Sequence, residues 1–226
     1  RRGFMDQNVI LVETVPLEFD LESLGCRLRI RPGQTKFMDR LSRLAEEAVR
    51  VARPKAVARL CGLTILDEEN VQVGEVTFSS PLLRQKMYGL GRAFPYLASE
   101  GTELSDWSLS LSSSLEQVFA SALREVAVQQ AENLLERTLL ERYGIAQVSA
   151  MNPGSLKVWS LEEQVPLFEL LAPLPEKLGV TLLPSLMMRP EYSVSGVFFQ
   201  TDSKFYNCQL CPKKECPNRR TPSLVT

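Results

Sequence analysis

The sequence contains no histidine. Imidazole is the usual general base near neutral pH and the commonest nitrogen ligand for metals, so a Ser-His-Asp or Cys-His mechanism is excluded within this chain. Net charge is almost absent too. Twenty-seven acids against 26 bases over 226 residues leave a formal charge of −1, so no global field points to nucleic acid or to an anionic membrane. No apolar run approaches the roughly 20 residues that span a bilayer, and the basic start RRGFMDQNV is not followed by a signal-peptide core. The expected location is the cytoplasm, with neither nucleic acid nor membrane as partner. Internal repeats, low-complexity tracts and flexible linkers are missing as well, which favours one domain over residues 1–226.

What is present concentrates at the end. Asn207 to Arg220 reads NCQLCPKKECPNRR and places Cys208, Cys211 and Cys216 within nine residues, close enough for three thiolates to reach one metal centre. Five cysteines is an odd number, which in a cytosolic protein favours metal or redox chemistry over a disulfide framework. A thiolate triad suits an iron–sulfur cluster with one iron open or ligated from elsewhere. Tetrahedral zinc with a fourth ligand and thiols without metal are the alternatives. Lys213, Lys214, Arg219 and Arg220 would moderate the negative charge of such a centre and raise its potential. Cys26 and Cys61 lie in apolar surroundings and read as small buried hydrophobes.

The body reads as α+β. Val9 to Ile30 looks like an extended arm, part of an N-terminal arm over residues 1–35. Phe37, Leu41, Leu44, Ala45, Ala48 and Val51 recur at helical spacing until Pro54. Ala56 to Leu66 and Val71 to Phe78 read as a hairpin about the turn DEEN. Ser80 and Pro81 open a short helix, and Ala93 to Ala98 is a strand. GLGRAFP at 89–95 lacks the third glycine of a dinucleotide fingerprint. A long helix spans Leu115 to Tyr143 and stops at Gly144; its apolar stripe shifts part-way, around Gln129, Gln130, Glu132 and Asn133. A polar break of this kind is either a solvated face or the lining of a cleft. Ser160 with Glu163 reads as a capping box for a helix to Leu171, and Val180 to Leu183 and Tyr192 to Gln200 read as strands.

The C-terminal residues carry a resemblance. Gly179, Leu182, Ser185, Met188 and Pro190, followed by Ser193, Val194, Ser195, Gly196 and Phe199 and then Asp202, Ser203 and Lys204, resemble the reactivation domain of cobalamin-dependent methionine synthase. AENLLERTLLERYG at 131–144 is similar to that family's long helix. The resemblance covers about residues 115–206. It implies a mainly antiparallel twisted sheet with helices packed around it, S-adenosylmethionine binding, and a part in returning an oxidised corrinoid to methylcobalamin. It places Glu132 where a family acid contacts the amino-acid part of S-adenosylmethionine, and Gly154 and Ser155 in the family's Arg-x-x-x-Gly-Tyr motif. Here Ala150 and Ser155 replace the arginine and tyrosine. Ser193, Ser195 and Gly196 would shape the cleft, small residues letting a bulky ligand approach the strand, although plain strand packing accounts for them equally.

The family's cobalamin-binding histidine motif is missing, so the implied cobalamin must arrive on a partner, a corrinoid protein or a truncated methionine synthase. An electron donor would be a further partner. The resulting expectation is an accessory to methyl transfer, in which a cluster on residues 207–226 feeds reduction. The alternative is a non-catalytic module that binds a corrinoid protein or small ligand, with structural zinc or no metal.

Overall fold

The computed structural model describes residues 7–211 and 221–222. Its centre is one long strand. Chain order gives β1 (Val9–Val12), α1 (Leu21–Arg27), α2 (Thr35–Val51), β2 (Lys55–Arg59), β3 (Cys61–Ile65), β4 (Asn70–Val73), β5 (Val76–Ser79), α3 (Pro81–Met87) and β6 (Arg92–Ser99). There follow α4 (Thr102–Ser110), α5 (Ser114–Tyr143), β7 (Val148–Met151), α6 (Gln164–Leu171), α7 (Leu174–Leu178), β8 (Thr181–Leu182), β9 (Met188–Arg189) and β10 (Ser193–Gln200). One edge of β6 carries β2 and β3, and the other carries β10, which in turn holds β7. Beyond β2 lies β1, and beyond β3 lie β4 and β5. Every pairing in this eight-stranded sheet is antiparallel.

Period-two alternation makes β6 the wall between two cores. Ala93 and Leu97 face one core with Phe78, Leu83, Trp159 and Leu171. Phe94, Tyr96 and Ala98 face the other with Ala131, Leu135 and Leu139 of α5. A third cluster lies among helices, where Leu41, Leu44 and Ala48 of α2 meet Phe119, Leu123 and Ala127 of α5. The stripe shift in α5 therefore has a packing cause: its first half seats on α2 and its second half on the sheet. Each buried Leu or Phe along it contributes roughly 1.5–3 kcal/mol by leaving water.

The α+β class with a mainly antiparallel sheet is observed. Several local readings change. The arm contributes β1 to the sheet edge and then forms α1, capped by Asp20, rather than remaining extended through Ile30. Cys26 is exposed on α1, not buried, because helix geometry turns it away from Leu24 and Gly25; Cys61 is buried as expected. Ala56 to Leu66 is two strands split at Leu60, whose N–H goes to Asn8. The hairpin partner is itself a hairpin, folded at Gly74. Ser160 and Glu163 do not form a capping box. The Glu163 carboxylate instead accepts from Ser79 N–H at 3.3 Å, and the segment opens as a 3-10 turn before α6. In the polar stretch of α5, Gln130 fastens the arm, accepting from Glu18 N–H at 3.2 Å and donating to Glu18 C=O at 2.5 Å.

Among the described residues no helix is long and apolar enough to cross a membrane.

Candidate functional site

The chain after β10 turns back across β7. Thr201 N–H donates to Gln147 C=O at 3.2 Å and Phe205 N–H donates to Ser149 Oγ at 2.7 Å, so residues 204–208 lie against the end of the sheet beside α5. Between them is a cleft of about 230 Å³, lined by Glu132 and Glu136 of α5, Ala150 and Asn152, Val194 and Phe198 of β10, and Lys204 to Cys208. The resemblance-implied acid and the first cysteine thus share one cleft.

A chain of hydrogen bonds crosses its floor. Tyr96 Oη donates to Glu132 Oε1 at 2.7 Å, while Asn152 Nδ2 donates to Tyr96 Oη at 2.8 Å and to Ser195 C=O at 2.9 Å. Asn207 Nδ2 in turn donates to Asn152 Oδ1 at 3.0 Å. The two bonds from Asn152 Nδ2 fix the orientation of that amide, since a carbonyl can only accept. Lys204 Nζ forms an ion pair with Glu136 Oε1 one turn along α5, and its ammonium lies 5.7 Å from the Tyr206 ring centroid. Tyr96 also stacks on Phe198, with ring centroids 3.9 Å apart. Asn207 keeps a buried Oδ1 with no hydrogen-bond partner among the described residues. Burying an acceptor without a donor costs about 1–3 kcal/mol, and a ligand N–H in the cleft would recover it.

None of the other site residues named from sequence, Gly154, Ser155, Ser193, Ser195 and Gly196, is among those that line this cleft. Gly196 is covered: a Cβ there would stand 2.4 Å from Met151 C=O, 2.6 Å from Asn152 Nδ2 and 2.9 Å from a Tyr96 ring carbon. Its missing side chain makes room for the protein's own Asn152 and Tyr96. Ser195 is buried, and its Oγ has no partner among the described residues. Ser193 Oγ donates to Pro190 C=O at 2.8 Å and is 2.9 Å from Ser99 Oγ. Gly154, at φ 75°, and Ser155 belong to the turn after β7. Gly154 N–H donates to Trp159 C=O at 2.9 Å, and a Cβ there would meet a Leu161 methyl at 2.7 Å. Neither residue lines the cleft.

Tyr96, Glu136 and Asn207 were not singled out from sequence, although all three belong to the cleft or its hydrogen bonds. Tyr96 sits in a wholly apolar stretch, and nothing local reveals that its hydroxyl reaches across the sheet face to α5.

Cys208 is half-buried on a 3-10 turn over Asn207–Gln209 and Cys211 is half-buried just after it, with Cys211 N–H donating to Cys208 C=O at 3.4 Å. Cys216 lies outside the described residues. Among the described residues no group of three or more cysteine or carboxylate side chains is placed to hold a metal. The donor chemistry of Cys208 and Cys211, soft sulfur close together in the chain, is of the type that ligates iron–sulfur clusters or zinc, and either centre would need further ligands.

A larger cavity, about 310 Å³, lies between α4, the end of α7 and the β8–β9 hairpin. Its Arg124 is committed: Nε and Nη2 donate to the two Glu100 oxygens at 2.6 and 2.7 Å, with the Tyr192 ring 4.5 Å from the guanidinium carbon. Burial pushes the Glu100 carboxyl above its ordinary value, with the Arg124 bonds opposing. This is an internal strut between β6 and α5.

No family model matches the sequence, and no curated protein matches it. Among solved structures the chain is similar to the crystal structure of the MetH reactivation domain bound to AdoHcy, with a TM-score of 0.60 over 88% of this chain and 80% of that one. Its fold is methionine synthase reactivation domain-like. At 16% identity the likeness is one of fold. The order of strands about β6 and the placing of α5 across the sheet thus belong to a reactivation-domain-like scaffold.

Proposed function

We propose that the chain assists the reductive activation of a corrinoid protein or truncated cobalamin-dependent methionine synthase. It would bind an S-adenosyl ligand in the Glu132 cleft and hold an iron–sulfur cluster on Cys208, Cys211 and Cys216. One observation carries this reading: Glu132 and Cys208 line the same cleft. The reactivation-domain-like fold supports it, as do the cleft's aromatic and acidic lining and the unpartnered Asn207 acceptor. Glu132 would receive the ligand's ammonium, an opposite charge worth most where water is excluded, and Tyr96 Oη would orient that carboxylate. A heteroaromatic ring entering the cleft would meet the edges of Phe198 and Phe205 and the more open ring of Tyr206, which line it. A cluster held by these cysteines would relay a low-potential electron from a separate electron-donor partner, of the kind that cob(II)alamin reduction needs.

Two measurements test it. Anaerobic purification and reconstitution should give a brown protein with iron and a charge-transfer band; a colourless, iron-free product removes the redox half. Bound zinc would instead favour a non-catalytic binding module. Calorimetric titration with S-adenosylmethionine or AdoHcy should show binding that Glu132→Ala weakens at least ~10-fold, about 1.4 kcal/mol. No heat with the wild type removes the ligand half.

A further inference from the structure

The Arg124–Glu100 strut leaves one nitrogen over. Nε and Nη2 donate to the Glu100 carboxylate and Nη2 reaches Ser105 Oγ at 3.3 Å, whereas Nη1 makes no hydrogen bond among the described residues. Opposite it stands Glu191 Oε2 at 4.0 Å, an ion pair too long for a hydrogen bond. The two side chains differ sharply in their contact with water: that of Arg124 is 7% exposed and that of Glu191 68%. Both line the cavity between α4, the end of α7 and the β8–β9 hairpin. A guanidinium carries its donors in a rigid fork, so a buried Arg124 aims Nη1 at an oxygen position that Glu191 approaches without reaching.

At about 310 Å³ the cavity falls at the small end of ligand pockets, which run from roughly 300 to 1,000 Å³. Arg189 adds a second, exposed cation to its lining, and Leu109, 75% exposed, and the buried Pro190 add apolar surface. Ser105 Oγ accepts from Nη2, which leaves its O–H to donate. The acids count against a highly charged ligand. Asp106 and Glu191 share the lining, and the Glu100 carboxyl behind Arg124 is raised by burial and further by the Glu191 charge. A multiply charged anion adds to that repulsion. One carboxylate that takes the place of the Glu191 carboxylate does not, because the charge opposite Nη1 stays the same.

We propose that this cavity binds a small monocarboxylic acid with an apolar tail. Its carboxylate accepts from Arg124 Nη1 and the Ser105 hydroxyl, Arg189 attracts it from the rim, and the tail lies along Leu109 and Pro190. Glu191, already mostly in water, swings out as the ligand enters and so acts as a built-in competitor for Nη1. The site is separate from the Glu132 cleft, with which it shares no lining residue.

The probe is pentanoate, followed through amide chemical shifts of the isotopically labelled full chain, with pentanamide as its uncharged analogue and inorganic phosphate as the more highly charged anion. Pentanoate should saturably move the signals of Thr102, Ser105 and Thr181 and leave those of Asn152 and Asn207 in place, and pentanamide should move none of them. Glu191→Gln should tighten pentanoate by ~3-fold or more and Arg189→Ala should weaken it by a similar factor, the scale expected of exposed charges. Asp106→Asn removes an equal charge from the same lining without vacating Nη1, and should tighten pentanoate less than Glu191→Gln does. Pentanamide binding as well as pentanoate, phosphate binding more tightly, or equal gains from Asp106→Asn and Glu191→Gln would each overturn the proposal. So would a wild type and a Glu191→Gln variant that both fail to bind pentanoate.

Discussion

Asn207 donates its side-chain amide to Asn152 across 3.0 Å, joining the segment that carries the cysteines to the amide that also holds Tyr96. Through Tyr96 the contact continues to Glu132, so the acid on α5 and the start of the cysteine turn share one network. Such networks respond as units, because removing one member leaves the others unsatisfied in a poorly solvated place.

Asn152→Ala should therefore cost more than a surface change. It removes two donated bonds and one accepted bond at the junction of β7, β10 and the C-terminal segment, and the expected loss is about 1–3 kcal/mol in urea denaturation. Asn207→Ala removes one bond and should cost less. A larger loss for Asn207→Ala than for Asn152→Ala would show that Asn152 is not the hub.

Cysteine reactivity gives a second readout of the same network. Cys208 lines the cleft while Cys26 is exposed on α1. Saturating AdoHcy should slow alkylation of Cys208 several-fold and leave Cys26 unchanged, as measured by mass spectrometry. Equal rates with and without ligand would separate the cleft from the cysteine turn.

Gly196→Ala tests the packing at the middle of the sheet. The added carbon would meet backbone at 2.4 Å, and backbone cannot swing aside as a flexible side chain can. Overpacking of this kind typically costs about 1–3 kcal/mol. A thermal midpoint equal to wild type would show that β7 shifts without penalty.

The Arg124–Glu100 strut should behave as a buried pair. Arg124→Met leaves a carboxylate with no exposed surface beside an apolar group, and the expected cost is roughly 3–5 kcal/mol. Replacing both residues, Arg124→Met with Glu100→Leu, should cost less than the single change. Additive losses in the double mutant would contradict a coupled pair.

Glu163 predicts a pH dependence of definite sign. Burial pushes its carboxyl above the ordinary value of 4.5, opposed by the Ser79 N–H and by the Trp159 indole N–H beside it. A raised folded value means that the folded state holds the proton more tightly. The stabilisation is complete below 4.5 and is lost as pH rises through the folded value. Glu100 acts in the same direction. Urea midpoints for wild type should fall relative to Glu163→Gln between pH 4.5 and neutrality, and parallel curves would show that burial does not shift the group.

The sequence shows its local elements well and its long-range contacts poorly. Helices α2, α3 and α5 and strands β6 and β10 are legible because helical periodicity, a Ser-Pro start and runs of buried residues are local signals. Helix α4 is not, since Thr102, Ser105, Asp106, Ser108 and Ser110 dilute its pattern and Gly101 caps it without a side chain. Four-residue β7 is hidden between a helix and a turn. In the site, Glu132 could be picked out as an acid in a broken stripe. Its partner Tyr96 lies 36 residues away and Asn207 lies 55 from Asn152, separations that no local pattern encodes. Ser160 with Glu163 shows the converse: a correct local signature lost to a tertiary competitor, the Ser79 N–H.

The place of β10 between β6 and β7 also sets an order of events during synthesis. Strand β6 is complete by Ser99 and β7 by Met151, yet they meet only through β10, which begins at Ser193. Until then one side of β6 is an unpaired edge flanked by apolar side chains, an invitation to pair with other chains. Nascent protein lacking β10 should therefore depend on chaperone protection. The Glu132 cleft, which needs Val194 and Phe198 for one wall, is among the last parts of the molecule to take shape.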